Sequence, residues 1–437
     1  MASEVETGDE NARVLVRPRP GGARADLGAE LLPRSKSHAQ RALVLAGLGV
    51  GESEILAVPD AGDVRVLATA LAGLGAAIHR DGNRWRVRAA GAWPAGGAPL
   101  LECADNGTAL RMLAVVLAVL GGRARLSARP RLQLRPLDEA RALVASVGAS
   151  LSESWPLELA APPPAPGSLS LAAGARVTSQ VASAALLALA CRSARGLGGG
   201  RLEVVHPVAA PLGYLELTAT VVRAFGFDVE LGPSGQAVVA AARASTASSY
   251  TVPVDASAAT FVAALAVLQR RPAPTWGPAD DGHPDWRAMH DLERLRRASP
   301  GDLVRIDDLG ARPDAFPALC AVAAARPGTT ELGGAPSLRH KESDRIAAMA
   351  AGLRPLGVEC HELDGGLAIV GRDLGREGPS DAAVPVALPP VDDHRVVMAL
   401  ALLGTLRPGG VTVAPRSAPD KSWPGFFAWL AGVAEVV

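Results

Sequence analysis

The chain has 437 residues, of which 49% are hydrophobic and only 3% aromatic, and its 44 basic and 44 acidic side chains leave no formal net charge. That length exceeds what one hydrophobic core sustains, so two domains of about 200 residues each are expected, with cores built from Ala, Val and Leu. Balanced charge excludes a global field for nucleic acid or an acidic membrane surface, so any anion must be held locally.

Residues 1–11 are acidic and polar, lack the basic start and apolar run of a secretory signal, and read as a disordered tail. The longest apolar stretch, near 181–191, is shorter than the roughly 20 residues a bilayer requires, so a cytoplasmic location is expected. Cys103, Cys191, Cys320 and Cys360 are widely separated, with no CxxC pair and no histidine at ligand spacing, and are expected as buried free thiols. No metal or organic cofactor is implied.

Several stretches place polar residues just ahead of an apolar helix. The first, Leu-Pro-Arg-Ser-Lys-Ser-His-Ala-Gln-Arg at 32–41, sets Lys36, Ser37 and Arg41 at the entry to an apolar helix at 42–48. A helix start offers unpaired N–H groups and a dipole that favours phosphate or carboxylate; a capped surface helix with solvated cations would give the same string. Cys-Ala-Asp-Asn-Gly-Thr-Ala-Leu-Arg at 103–111 is a second such entry, where Gly107 would allow close approach to the backbone. Arg-Val-Thr-Ser-Gln at 176–180 is a third, equally readable as a plain N-cap.

Further along, Pro313 and Asp314 precede a helix from 315, where Asp314 would serve as a simple cap. The densest cluster, Leu-Arg-His-Lys-Glu-Ser-Asp-Arg at 338–345, precedes a periodic helix at 346–356, with Glu342 and Arg345 at pairing distance on one face. Asp-Asp-His-Arg at 392–395 and Asp-Lys-Ser at 420–422 repeat the arrangement.

An amphipathic helix ending in a hydrophobic-Gly step and followed by a strand recurs at Gly75, Gly148, Gly226 and Gly357, the first three at roughly 75-residue intervals. Each glycine is expected in the left-handed turn that ends a helix. The interval suits a βαβ-type module with extra strands, several to a domain. A further copy, with its helix at 286–297 and one short strand near 303–306, looks abbreviated. Loops are expected at 162–167, 196–200 and 271–282, and a domain crossing at 245–253.

Taken in order, Lys36-Ser37 with Arg41, Asn106-Gly-Thr-Ala109 with Arg111, Arg135-Pro136, Thr178-Ser-Gln180, Asp255-Ala-Ser257, Pro313-Asp314, Lys341-Glu-Ser-Asp-Arg345, Asp392-Asp-His-Arg395 and Lys421 resemble the 5-enolpyruvylshikimate-3-phosphate synthase family over residues 12–435. The resemblance implies an α/β fold with two domains, 12–32 joined with 253–437 and an inserted 33–252. Each would be an inside-out α/β barrel of three βαβαββ units with pseudo-threefold symmetry, and the active site would lie in the cleft between them. It implies transfer of the enolpyruvyl group of phosphoenolpyruvate to the 5-hydroxyl of shikimate 3-phosphate by a monomer that needs no nucleic acid or membrane.

Phosphoenolpyruvate binding is implied for Lys36, Gly107, Arg135, Gln180, Arg345, Arg395 and Lys421. Acceptor binding is implied for Lys36, Ser37, Arg41, Thr178, Ser179, Gln180, Asp314 and Lys341, with Tyr214 close by. In catalysis, Asp314 would take the hydroxyl proton, Glu342 would protonate the methylene carbon, and Lys36 would stabilise developing charge.

Departures from the family pattern gather on the acceptor side. Pro211 stands for a phosphate-binding Ser, Ser337 for Asn, Thr178 for Ser, Asp105 for Asn, and Arg34 for Gly. Asp105 would bring a negative charge near the donor unless Arg111 or another cation offsets it. These changes keep open a divergent paralogue with a different hydroxyl acceptor and an inactive ligand-binding scaffold. The related UDP-N-acetylglucosamine enolpyruvyl transferases rely on a loop Cys that the four cysteines here do not suggest.

Overall fold

Two periods are visible in burial along the chain. Strands alternate, as in Gly200–Val205 where every second side chain is buried, and the central helices are apolar all round, as in Ala256–Leu268, where every residue is buried. The first pattern gives a sheet one covered face; the second places a helix inside a domain. The computed structural model describes residues 12–19, 32–91, 93, 97–174, 178–205, 212–232, 236–239, 249–272, 274, 281–375 and 384–437. The 1–11 tail and Pro211 lie outside the described residues.

All five four-stranded sheets follow one plan. Leu100–Glu102 runs parallel to Arg123–Ser127, which pairs antiparallel with Leu157–Ala160, and Ser150–Leu151 closes the far edge, also antiparallel. A parallel neighbour needs a crossover, which the helix Gly107–Val119 supplies. The same plan builds Leu169–Gly174, Gly200–Val205, Ala237–Val239 and Val229–Leu231. It recurs in Ser249–Thr251, Glu52–Leu56, Arg84–Arg88 and Ala77–Asp81, the last two joined through Gly82 at φ 54° and Asn83.

The chain divides into two compact units. The first comprises Met1–Leu32, Ala256–Gly277 and Asp285–Val437; the second comprises Pro33–Asp255 and Pro278–Pro284. The three sheets just described belong to the second unit, where the buried helices Lys36–Leu48, Gly107–Val119 and Gln180–Ala194 form the core with outer helices Gly62–Gly73, Asp138–Ser146 and Gly213–Ala224.

The first unit holds the other two sheets. One is Val304–Ile306, Gly328–Leu332, Gly366–Gly371 and Glu359–Leu363; the other is Val386–Ala387, Val411–Val413, Val14–Pro18 and Ala434–Val436. Ala256–Leu268, Phe316–Ala325 and His394–Gly404 pack on one another as its buried helices. Among the described residues no strand lies between Ala256–Leu268 and Val304–Ile306. Val304–Ile306 is therefore not a remnant of the abbreviated copy, because its parallel partner Gly328–Leu332 makes it the first strand of the next sheet.

Gly75, Gly148, Gly226 and Gly357 have φ of 100°, 75°, 85° and 75°, the left-handed region. All four cysteines are buried and unpaired, and burial pushes the thiols of Cys103 and Cys191 up to about 12. Among the described residues no helix is long and apolar enough to cross a membrane, and no group of three His, Cys, Asp or Glu is placed to hold a metal.

Two glycines separate conformational from steric constraint. A Cβ on Gly226 would meet open space, whereas on Gly334, at φ 76°, it would lie 1.8 Å from the Asp307 carbonyl oxygen. Gly226→Ala is expected to lower unfolding free energy by about 1–2 kcal/mol, the left-handed cost alone. Gly334→Ala is expected to lose at least about twice that, because backbone must also move. Urea titration of both variants checks the ratio.

Candidate functional site

The three buried helices of the second unit begin at Lys36, Gly107 and Gln180. Ser35 caps the first: its hydroxyl oxygen accepts from the His38 N–H, and the Lys36 N–H donates to Asp255 Oδ2 at 3.2 Å. The Lys36 ammonium lies 2.8 Å from Asp63 Oδ2, with 11% and 10% of the two side chains exposed. His38 donates from Nε2 to the Asp281 carbonyl at 3.0 Å and accepts at Nδ1 from the Ser35 hydroxyl at 2.9 Å. Burial above all, with His283 and Arg41 nearby, keeps its pKa well below the ordinary histidine value.

Arg41 is buried, and its hydrogen bonds go to neutral oxygens. Nε donates to Thr218 Oγ1 at 2.7 Å, one terminal nitrogen to the Ser37 carbonyl at 2.9 Å and the other to Ser183 Oγ at 3.3 Å. Both hydroxyls donate onward to the Tyr214 carbonyl, and the guanidinium lies 5.8 Å from the centre of the Tyr214 ring. Burial without a carboxylate pushes the Arg41 pKa down to about 10. An anion placed here would relieve that cost.

Asn106 caps the second helix by accepting from the Ala109 N–H at 2.9 Å, and its amide donates to Gln40 Oε1 at 3.0 Å and the Asp63 carbonyl at 2.8 Å. At Gly107 a Cβ would come within 2.8 Å of an Arg111 nitrogen and 2.9 Å of an Arg135 nitrogen, so the absent side chain leaves space for both guanidiniums. Arg111 donates to the Gly107 carbonyl and to Gln180 Oε1, both at 3.1 Å, and Gln180 donates to Thr108 Oγ1 at 2.9 Å. Lys36, Gly107, Arg135 and Gln180 thus surround linked helix starts. Thr178 accepts from the Gln180 N–H at 3.3 Å, while Ser179, the N-cap residue, makes no side-chain capping bond.

In the first unit, Arg345 opens the helix Arg345–Leu353 with 1% of its side chain exposed, and three carboxylates surround it. Asp314 lies at 2.7 Å, Glu342 at 2.9 Å and Asp393 at 3.0 Å. Arg395 reaches the second Asp314 oxygen at 3.0 Å, and Lys421 reaches the second Glu342 oxygen at 3.6 Å. Asp393 is fully buried and caps His394–Gly404, whereas Asp314 and Glu342 remain 19% and 17% exposed. Those two carboxylates are the ones of the three open to solvent. Burial works against the Asp314 charge, but Arg395, Arg345 and Lys341 outweigh it and hold the carboxyl well below the usual carboxylate range.

Asp314 is therefore not a helix cap: Phe316–Ala325 has Ala315 at its N-cap and no capping side chain. Glu342 does pair with Arg345 in this state. Of the departures, Asp105 faces Arg129 at 3.3 Å, and Arg34 is exposed beside Val254, so the loop accommodates it. Sequence reasoning missed Asp63, Thr218, Ser183 and Asp393 as partners. Asp63 carried the signal used elsewhere, a charged residue at the entry to an apolar periodic helix, in the first turn of Gly62–Gly73; Thr218 and Ser183 lie further inside helices and carried none.

A family model described as EPSP synthase (3-phosphoshikimate 1-carboxyvinyltransferase) matches residues 24–272 and 287–430. The chain is 33% identical to the 3-phosphoshikimate 1-carboxyvinyltransferase of Thiobacillus denitrificans, over 95% of this chain and 98% of that protein. It is 30% identical to the one from Halobacterium salinarum, over 93% and 96%. The EPSP synthase structure from Acinetobacter baumannii superposes with a TM-score of 0.71 at 20% identity, covering 98% of this chain and 99% of that one, and shows the shared mixed α/β fold. With the family model spanning most of its length and such relatives matched nearly end to end, the chain belongs to the EPSP synthase family.

Proposed function

We propose that the chain transfers the enolpyruvyl group of phosphoenolpyruvate to the 5-hydroxyl of shikimate 3-phosphate and releases phosphate. The observation that carries this reading is the cluster of Asp314 and Glu342, partly exposed, over Arg345, Arg395 and Lys421. It supplies two carboxylates for proton transfer among cations suited to a donor bearing carboxylate and phosphate.

Donor binding falls to Lys36, Gly107, Arg135, Gln180, Arg345, Arg395 and Lys421. Lys36, Ser37, Arg41, Thr178, Ser179, Gln180, Asp314 and Lys341 serve the acceptor, with Arg41 taking its carboxylate. Within each unit, the shared sheet plan and three buried helices support an inside-out barrel of βαβαββ modules about a pseudo-threefold axis. A cytoplasmic monomer completes the proposal. The curated relatives do not favour a different acceptor or an inactive scaffold.

The acceptor oxygen bonds to C2 of phosphoenolpyruvate as Asp314 takes its proton and Glu342 protonates C3. The C2–O bond to phosphate then breaks and the Glu342 carboxylate takes a proton back from C3, restoring the double bond. An Asp314 held so strongly ionised is a weak base. When the donor's carboxylate and phosphate draw Arg345 and Arg395 toward themselves, Asp314 loses that stabilisation and its basicity rises.

Phosphate release from phosphoenolpyruvate, with and without shikimate 3-phosphate, tests the reading. Release is expected only with the acceptor, and Lys36→Met is expected to lower kcat/KM by at least about a hundredfold. Release without acceptor dependence would defeat the assignment. Arg41→Met, measured in the same assay, is expected to raise KM for the acceptor by about tenfold or more while KM for phosphoenolpyruvate stays within about twofold.

A further inference from the structure

Asp314 sits on a turn whose anchoring is asymmetric. The turn is closed by the Ala315 N–H donating to the Arg312 carbonyl at 3.1 Å, with Pro313 at its second position and Asp314 at its third. On one side Asp314 meets Arg345 and Arg395, and Arg345 also lies 3.4 Å from the Pro313 carbonyl. Both arginines are assigned to the donor above. On the other side stands Arg312, whose side chain is 4% exposed and whose partners are assigned to no ligand.

The Arg312 guanidinium is a double fork. Nε and one terminal nitrogen lie 2.8 and 2.7 Å from Asp291 Oδ2, and its two terminal nitrogens lie 2.9 and 2.6 Å from the two Asp308 oxygens. Asp291 belongs to the helix Ala288–Arg297, where its side chain is 6% exposed, and Asp308 precedes the short helix Leu309–Ala311 with 64% exposed. The guanidinium thus ties the first residue of the Asp314 turn to the helix of the abbreviated copy.

We propose that Arg312 is a positioning residue that holds the Asp314 turn in place through this fork onto Asp291 and Asp308. The proposal rests on the reading of Asp314 as the base. As the donor draws Arg345 and Arg395 away, Asp314 loses its own clamps, and the Arg312 fork keeps the carboxylate within reach of the acceptor hydroxyl. A buried ion pair adds little stability over apolar packing of the same volume, so its use here is geometric. The planar fork fixes direction as well as distance, which a lysine does not reproduce.

The test compares Arg312→Lys, Asp308→Asn and Asp314→Asn by kcat, by KM for each substrate and by the pH profile of kcat/KM, which reports the enzyme before the donor draws the arginines away, with circular dichroism to confirm folding. Arg312→Lys is expected to lower kcat by about tenfold with both KM values within about twofold. Its acid limb is expected to move up by about one pH unit, because a turn that drifts from Arg395, Arg345 and Lys341 leaves Asp314 easier to protonate, Glu342 opposing its charge as before. Asp308→Asn, which removes the exposed prong, shifts both in the same direction by less and carries the test should Arg312→Lys fail to fold. A folded variant with unchanged kcat and acid limb, beside an inactive Asp314→Asn, overturns the clamp alone. An active Asp314→Asn enzyme overturns the base assignment and the clamp's purpose with it.

Discussion

A guanidinium taken out of water must find hydrogen-bond acceptors, and Arg345 finds three carboxylates, each brought by a different piece of backbone. Asp314 comes from the turn before Phe316–Ala325, Glu342 from the segment before Arg345's own helix, and Asp393 from the cap of His394–Gly404. Removing one partner from such a buried set costs about 3–5 kcal/mol, because the charge left behind is uncompensated. The three segments are consequently held to one point, and the geometry of both carboxylates proposed to move protons follows from where that charge is buried.

Two buried arginines of the second unit are held differently. Arg41 is satisfied by two hydroxyls and a carbonyl, and Arg111 by backbone carbonyls and an amide oxygen among its contacts. Neutral partners satisfy hydrogen bonds without cancelling charge, which is why burial lowers the Arg41 pKa while the carboxylates around Arg345 hold its pKa above the usual value against the same burial. An anion arriving at Arg41 adds a partner. One arriving at Arg345 must exchange with a partner already present. Binding at the first would be attraction, and at the second displacement, which would change the proton affinity of Asp314.

Much of this is legible in the sequence because its signals are local. The left-handed glycines, the helix-then-strand repeat and the polar entries to apolar helices each depend on residues a few positions apart, and Gly75, Gly148, Gly226 and Gly357 stand where that pattern puts them. What is not legible depends on pairs far apart in the chain. Arg41 and Thr218 are 177 residues apart, and nothing in a threonine within an amphipathic helix marks it as an acceptor for a distant guanidinium. The strand Val304–Ile306 reads with its preceding helix for the same reason, since only its pairing with Gly328–Leu332 says which sheet it joins.

Asp105 shows how a local departure is absorbed. Its partner Arg129 is 71% exposed, and an exposed pair of that kind stabilises by no more than about 1 kcal/mol, so the charge is screened rather than cancelled. The turn that carries it is held by other means. Ala104 sits at φ 47°, its N–H donates to Glu102 Oε1 at 2.7 Å, and the other Glu102 oxygen accepts from Ser127. One residue on, Asn106 joins the Gly107 helix to Gln40 on the Lys36 helix and to the backbone of Asp63, the Lys36 partner. A buried amide with those three bonds made is costly to rearrange. The starts of the Lys36 and Gly107 helices are therefore fixed relative to each other by the Asn106 side chain, and the partly exposed position of Asp105 leaves that reference intact.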